Sequence, residues 1–195
     1  MKVYNVTVKL VKGILKVFTF FNDKGTKNVP QSGAFLLCAN HRSNMDPILI
    51  AAACPRQLTF MAKDELFHIP VLGKIIKGFG AFPIKRGKGD AAAVMATLKI
   101  MKKGEPTLIF PEGTRMKKGE RKTVNPGIIR LAMQSDVPIV PACVSKNRVV
   151  FGEPLYYKKY EEDMRNPDKM QEMKIRARLI AKKNSTKDIC KILLT

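Results

Sequence analysis

The chain has 195 residues, of which 45% are hydrophobic, which is enough for one domain with a sizeable core but too little for two comfortable ones. Its 36 lysine and arginine residues exceed its 16 aspartate and glutamate residues, so the formal net charge of +20 predicts an anionic partner: nucleic acid, an anionic membrane surface or a phosphorylated substrate. No segment reaches the roughly 18–20 consecutive apolar residues that a membrane-spanning helix needs, so an obvious transmembrane anchor is excluded.

The first 21 residues have the pattern of a basic amphipathic helix. Their apolar residues recur at three- and four-residue steps, while lysines recur on a different arc: Val3, Val6, Leu10, Ile14, Val17 and Phe21 against Lys2, Lys9, Lys12 and Lys16. Such a helix is typical of a segment that lies in a lipid headgroup layer, although it could instead pack on the core of its own domain. Turn residues over 22–33 indicate a linker. We assign residues 1–24 to a membrane-associating helix and linker, and residues 25–195 to one domain.

From residue 34 onwards, short apolar runs alternate with helical patterns. Strands are predicted over 34–39, 58–62, 81–84, 107–110 and 137–144, and helices over 48–54 and 90–104. This alternation predicts a single α/β domain with a mostly parallel central sheet flanked by helices. The segment after about residue 158 is charged and helical in pattern, and its sequence indicates nothing further.

The four cysteines lie far apart and show no CxxC spacing: Cys38, Cys54, Cys143 and Cys190. Two of them fall inside apolar runs, where cysteine behaves as a small hydrophobic residue. We therefore expect buried free thiols, which are typical of a reducing compartment.

Polar segments directly follow three of the predicted strands, at residues 40–46, 85–89 and 111–115. Ligands of open α/β sheets gather at the carboxyl ends of the strands. We therefore expect one crevice to collect all three segments.

The first polar segment contains His41, one of only two histidines, and Asp46 in an H-x-x-x-x-D spacing. In a purely structural interpretation, Ser43 and Asp46 form a capping-box-like pair, Pro47 occupies the first helical turn, and His41 is incidental. In a catalytic interpretation, Asp46 accepts a hydrogen bond from Nδ1–H of His41 and stabilises the imidazolium that forms when Nε2 takes a proton. The two interpretations are compatible, and the spacing alone does not choose between them.

The other two polar segments carry cations beside glycines. Arg115 offers a planar guanidinium fork and Gly113 allows close backbone approach, as a phosphate monoester would require, and Arg86 supplies a second cation. A plain turn with a solvated arginine is the alternative. A base next to a phosphate-binding site would indicate an alcohol nucleophile on a phosphorylated substrate.

Four blocks in this order resemble the 1-acylglycerol-3-phosphate acyltransferase family, also called lysophosphatidic acid acyltransferases of the PlsC type. They are NHRSNMDP at 40–47, GAFPIKRG at 80–87, FPEGTR at 110–115 and VPIVP at 137–141. The resemblance covers roughly residues 25–155 and implies the glycerolipid acyltransferase fold.

The resemblance also implies roles for individual residues. His41 would be the general base, Asp46 its partner, and Arg86 and Arg115 would bind the acceptor phosphate. The other implied acceptor-site residues are Glu112, Gly113 and Thr114. The free sn-2 hydroxyl of 1-acylglycerol 3-phosphate would attack an acyl thioester directly, so Cys38 would belong to the strand core and would not be a nucleophile. The acyl donor would be carried by acyl carrier protein or coenzyme A, and no metal or other cofactor is expected.

Two departures from the family pattern leave the acceptor open. Met116 and Asn125 stand where the family commonly has serine and lysine, so another lysophospholipid or glycerol 3-phosphate is an alternative acceptor. A basic nucleic-acid-binding module is an alternative of a different class, but the chain has no tryptophan and no reader motif, so we expect no nucleic acid partner. We expect a lysophospholipid acceptor, an acyl thioester donor and an anionic membrane surface as partners, with peripheral or monotopic attachment at the cytoplasmic face of the cell membrane.

Overall fold

The computed structural model describes residues 21–84, 89–113, 115, 131, 134–145 and 147–156, together with the single positions 6, 8 and 13; for residues 89–93 it describes the backbone only. Within these residues the strands are β1 (Asn22–Lys24), β2 (Leu36–Ala39), β3 (Thr59–Lys63), β4 (Ala81–Ile84), β5 (Thr107–Ile109), β6 (Ile139–Ser145) and β7 (Arg148–Phe151). The α-helices are α1 (Asp46–Ala53), α2 (Asp64–Phe67), α3 (Pro70–Gly78) and α4 (Gly89–Met101).

These strands form one seven-stranded sheet in the order β1-β7-β6-β2-β5-β3-β4. Strands β2 to β6 all run in the same direction, whereas β7 is antiparallel to β6 and β1 pairs in parallel with β7. The predicted single α/β domain with a mostly parallel sheet is therefore confirmed. Because β2 to β5 are parallel, the loops that follow them all begin at one edge of the sheet, which we call the carboxyl edge.

Helices cover both faces of the sheet, which is why the central strands are apolar without alternation. Adjacent residues of β2 point to opposite faces, and Leu36 and Leu37 are both fully buried. Leu37 packs in the same core cluster as Ile50 of α1 and Ile76 of α3, whereas Leu36 packs with Met101 of α4. Helices α1 and α3 thus lie on one face of the sheet and α4 lies on the other.

Helix α1 connects the carboxyl edge to the core. Its first residues are Asp46 and Pro47, and a proline early in a helix has its φ angle already set for helical geometry. The rest of the helix is almost entirely apolar, and Leu49, Ile50 and the three alanines after them are buried. An apolar helix of this kind is held by burial on several sides, so its first residue is rigidly placed.

Two strands were missed by the sequence analysis. Residues 22–24, which we assigned to the linker, form β1, and Arg148–Phe151 form β7. The prediction of free thiols is confirmed for Cys38 and Cys54 but was wrong for Cys143 of β6, which is disulfide-bonded. Spacing along the chain could not reveal this bond, because a disulfide depends on the distance between two thiols in space.

The predicted N-terminal helix lies largely outside the described residues. Val6, Val8 and Gly13 have helical backbone conformation; Val8 packs against the core cluster under α1 and α3, while Val6 is 67% exposed. Among the residues described, none of the helices has the length and apolar character needed to cross a membrane.

Candidate active site

His41 and Asp46 meet at the carboxyl edge of the sheet. His41 follows β2, and Asp46 is the first residue of α1, so the turn between this strand and helix brings their side chains together. Nδ1 of His41 lies 3.1 Å from Oδ2 of Asp46, within hydrogen-bonding distance. The Asp46 side chain is only 5% exposed and that of His41 is 18% exposed, so the carboxylate is enclosed while the ring reaches solvent.

The Asp46 carboxylate is held by the backbone as well as by the ring. Oδ2 accepts hydrogen bonds from the backbone N–H groups of Arg42 at 2.5 Å and Ser43 at 2.6 Å. The Ser43 hydroxyl in turn accepts from the backbone N–H of Met45 at 3.2 Å. The bond from Ser43 N–H to Asp46 is one half of the predicted capping-box-like pair, whereas the Ser43 hydroxyl bonds Met45 and not Asp46. This backbone contact and the His41 contact use the same carboxylate oxygen, so the structural and catalytic interpretations are compatible.

This arrangement defines the proton positions on His41. An oxygen that already accepts two backbone N–H groups acts as an acceptor, so Nδ1 carries the hydrogen that it donates to Asp46. In the neutral ring, Nε2 is then the nitrogen without a hydrogen and is the atom that can take a proton from a substrate. An imidazolium formed this way would keep its Nδ1–H bond to the buried carboxylate.

Phe110 fixes the plane of the imidazole. Its ring stacks on that of His41 with centroids 4.1 Å apart and planes inclined by 21°. Phe110 directly follows β5, which pairs with β2 in the register Cys38 to Ile109. Adjacent strands therefore deliver the two rings to the same place, and a stack of this kind restricts rotation of the imidazole.

Asn40 anchors the end of β2 to β6. Its side-chain amide accepts from the backbone N–H of Val144 at 2.8 Å and donates to the carbonyl of Val144 at 3.0 Å. The side chain thus continues the strand pairing one residue beyond β2. The backbone just before His41 is therefore held against β6.

The segment after β5 is a tight turn. The backbone N–H of Gly113 donates to the carbonyl of Phe110 at 3.0 Å, with Pro111 and Glu112 between them. Gly113 has φ +67°, a conformation that is strained for residues with a side chain, and among the described residues no atom lies within 4 Å of the position that a Cβ would take. The turn therefore presents exposed backbone next to the His41 ring.

The Cys38 thiol is unsuited to nucleophilic chemistry. Loss of solvation on burial, reinforced by the negative charge of Glu112, raises the pKa of Cys38 to about 12. The thiolate is the reactive form of cysteine, so this side chain remains an inert thiol at neutral pH.

Comparison with known proteins identifies the family. The family model described as Acyltransferase matches residues 20–145, which is more than half of the chain. The chain belongs to the Acyltransferase family. Among its relatives is the 1-acyl-sn-glycerol-3-phosphate acyltransferase of Bacillus subtilis, 28% identical over 78% of this chain and 82% of the relative. The enzyme of the same name from Streptococcus pneumoniae is 34% identical over 67% of this chain, which spans about half of that protein (53%).

A solved structure supports the fold of this acyltransferase. The crystal structure of the 1-acyl-sn-glycerophosphate acyltransferase PlsC from Thermotoga maritima superposes with a TM-score of 0.60, covering 77% of this chain and 69% of that one at 23% identity. The fold that the sequence resemblance implied is therefore confirmed.

Of the two arginines predicted to bind the acceptor phosphate, the structure of this acyltransferase describes Arg115 but not Arg86. Arg115 follows the turn after β5 and is exposed at the carboxyl edge, beside the segment that carries His41. Strand β4 ends at the same edge but two positions from β5 in the sheet. The residues that lie outside the described part of the chain are Arg86, Thr114, Met116 and Asn125.

Two residues of the site had no predicted role. Phe110 is the last residue of a predicted strand and the first of FPEGTR, and Asn40 is the first residue of its block. The aromatic residue at the end of a buried strand was the available signal for Phe110. No local signal marks the contact of Asn40, because its partner lies 104 residues further along the chain.

Proposed function

We propose that this acyltransferase transfers a fatty acyl group from an acyl thioester to the free sn-2 hydroxyl of 1-acylglycerol 3-phosphate, giving phosphatidic acid. The observation that carries the proposal is the hydrogen bond between Nδ1 of His41 and the buried carboxylate of Asp46, which makes Nε2 of this partly exposed ring the nitrogen that acts as base. The Bacillus subtilis and Streptococcus pneumoniae relatives are both 1-acyl-sn-glycerol-3-phosphate acyltransferases, which supports the choice of acceptor.

The proposed reaction needs no covalent acyl-enzyme. Nε2 of His41 takes the proton of the sn-2 hydroxyl as its oxygen attacks the thioester carbonyl carbon. The tetrahedral intermediate then collapses, the C–S bond breaks, and the leaving thiolate takes the proton from the imidazolium. Asp46 stabilises the imidazolium between these two steps. The raised pKa of Cys38, the cysteine of β2, supports direct transfer.

In this proposal the acceptor phosphate lies at the exposed turn after β5. Arg115 and Arg86 bind its oxygens through their guanidinium forks, and Gly113 lets the phosphate approach the backbone. Glu112 and Thr114 complete the acceptor site. Arg42, which is exposed next to His41, adds positive charge at the same edge.

The acyl donor in this proposal is acyl-acyl carrier protein or acyl-coenzyme A, and the enzyme works on an anionic membrane surface at the cytoplasmic face of the cell membrane. A membrane location follows from the chemistry of acceptor and product, since both are lipids that reside in a bilayer. The lysines and apolar residues of the first 21 positions support attachment without spanning.

A matrix of donors against acceptors tests the proposal. Purified protein in liposomes is given acyl carrier protein or coenzyme A thioesters together with 1-acylglycerol 3-phosphate, other lysophospholipids, or glycerol 3-phosphate. We expect 1-acylglycerol 3-phosphate to give the highest kcat/KM with at least one donor. A higher value with another acceptor would replace the proposed substrate, and the departures at Met116 and Asn125 make this comparison informative.

A further inference from the structure

The outward side of α3 carries exposed aliphatic residues. Ile69, just before the helix, is 47% exposed, and Val71 and Ile75 within it are 73% and 39% exposed. Single exposed apolar side chains are ordinary on protein surfaces. Here, however, three of the eight large hydrophobic side chains exposed among the described residues fall within seven consecutive positions. We call Ile69, Val71 and Ile75 the α3 apolar patch.

Lysines accompany the α3 apolar patch. Lys74 lies three residues after Val71, so it shares the outward face of the helix with Val71 and Ile75, and Lys77 is exposed in the last turn. The helix contains no acidic residue. A helix face that combines aliphatic side chains with lysines is suited to an anionic lipid surface, where the aliphatic groups enter hydrocarbon and the ammonium groups meet phosphates.

The orientation of α3 is fixed by its inner side. Ile76 is buried and Leu72 packs against the same core cluster. Gly73 is buried against α2, where a Cβ atom would collide with the carbonyl oxygen of Phe67. The helix therefore cannot roll to cover Val71 and Ile75, and their exposure is a property of the folded domain.

The α3 apolar patch begins at the carboxyl edge. Helix α2 starts directly after β3 at Asp64, at the same edge as His41 after β2, and Ile69 and Val71 lie at the start of α3. Val8 packs on the core cluster that also receives Ile76, so Val8 and α3 lie on the same face of the sheet.

We infer that the α3 apolar patch enters the headgroup layer of an anionic bilayer and holds the edge that carries His41 against the membrane. The inference rests on the proposed function in one respect: the enzyme needs to contact a bilayer because the proposed acceptor is a lipid. An acidic carrier protein would also be attracted to the lysines. The bilayer is favoured because the most exposed residue of the patch, Val71, is aliphatic and 73% exposed, as insertion into hydrocarbon requires.

The first test removes the aliphatic groups. The double variant Val71→Ser with Ile75→Ser is compared with Met95→Ser, since Met95 is 66% exposed on α4 at the opposite face of the sheet. Sedimentation with vesicles of mixed phosphatidylglycerol and phosphatidylcholine, without substrate, should show roughly tenfold weaker binding for the double variant and no change for Met95→Ser. Turnover on a short-chain, water-soluble acceptor should be unchanged. Equal binding of the double variant and the wild type would overturn the inference.

The second test separates local charge from total charge. Lys74→Glu and Lys99→Glu change the net charge equally, but Lys99 is exposed on α4, on the other face. Only Lys74→Glu should weaken binding to the anionic vesicles, and neither should alter binding to phosphatidylcholine alone. Equal weakening by both variants would mean long-range attraction and no docking surface. Unchanged vesicle binding together with slower transfer from acyl carrier protein would assign the patch to that protein instead.

The vesicle measurements contain no acyl donor or acceptor, so their outcome does not depend on the proposed reaction. If vesicle binding requires the patch but 1-acylglycerol 3-phosphate is not acylated, the docking surface stands and the proposed substrate fails. If 1-acylglycerol 3-phosphate is acylated but vesicle binding does not depend on the patch, the proposed substrate stands and the docking surface fails.

Discussion

Replacing Asp46 by asparagine removes a charge and keeps an oxygen. All three hydrogen bonds to the carboxylate, from Nδ1 of His41 and the N–H groups of Arg42 and Ser43, meet the same atom, Oδ2. The asparagine carbonyl can occupy that position and accept all three, so the turn and the His41 tautomer should persist. On this geometry, asparagine does not act by imposing the wrong tautomer on His41. The loss should instead come from the missing charge next to the imidazolium.

The size of that loss follows from the distance and the burial. Two unit charges about 4 Å apart interact by about 4 kcal/mol at an effective dielectric constant of about 20. This energy corresponds to roughly 10³-fold in rate. The His41 side chain is 18% exposed, so solvent replaces part of the lost interaction. We expect kcat to fall between roughly 10²-fold and 10³-fold with little change in the acceptor KM.

Asp46→Ala is the matched comparison, because it removes the acceptor altogether. It leaves the N–H groups of Arg42 and Ser43 without that partner, at about 1–3 kcal/mol each for a fully buried donor and less here, because both residues are exposed and water replaces part of the bond. Thermal unfolding measured beside initial rates should show Asp46→Ala clearly less stable than Asp46→Asn. If Asp46→Asn kept turnover within tenfold of wild type, or unfolded as easily as Asp46→Ala, the reasoning from Oδ2 would be wrong.

Three further predictions concern neighbouring residues. Phe110→Leu should lower kcat about three- to tenfold in steady-state assays, because a stacking interaction of about 0.5–1.5 kcal/mol on the His41 ring is lost. Arg115→Lys should raise the KM of the phosphorylated acceptor but not of the thioester, because lysine cannot bind phosphate bidentately. Cys38→Ala should stay active. In urea titrations the free energy of unfolding of the wild type should fall between pH 9.0 and about 12, where the unfolded chain ionises Cys38 and the folded thiol keeps its proton, and Cys38→Ala should lack this contribution.

The centre of the sheet could be predicted from sequence because its strands are apolar on both faces. β2 and β5 are nearly continuous runs of buried residues, which mark a strand covered by helices on each side. β1 has no such signal. Its residues are Asn22, Asp23 and Lys24, and they form a strand only because they pair in register with Arg148 to Val150 of β7. Pairing of this kind depends on tertiary contacts that local patterns do not contain.

The same distinction applies to the site. The contact between His41 and Asp46 could be predicted because five residues span one strand-to-helix turn. The stacking of Phe110 on His41 and the bridge from Asn40 to Val144 could not, because both depend on β2 lying between β6 and β5. That order is set by how the helices pack on the two faces, and no local sequence pattern records it.

The turnover of His41→Ala tests the central claim, that His41 is the general base of the acyl transfer, most directly. The measurement is the initial rate of phosphatidic acid formation from 1-acylglycerol 3-phosphate and an acyl thioester, with thermal unfolding recorded on the same preparation. The account predicts a rate at least about 100-fold below wild type, because loss of a general base typically costs that much, and near-normal stability, because the His41 side chain is 18% exposed and lies outside the core. A folded His41→Ala protein that kept more than about a tenth of wild-type turnover would contradict it.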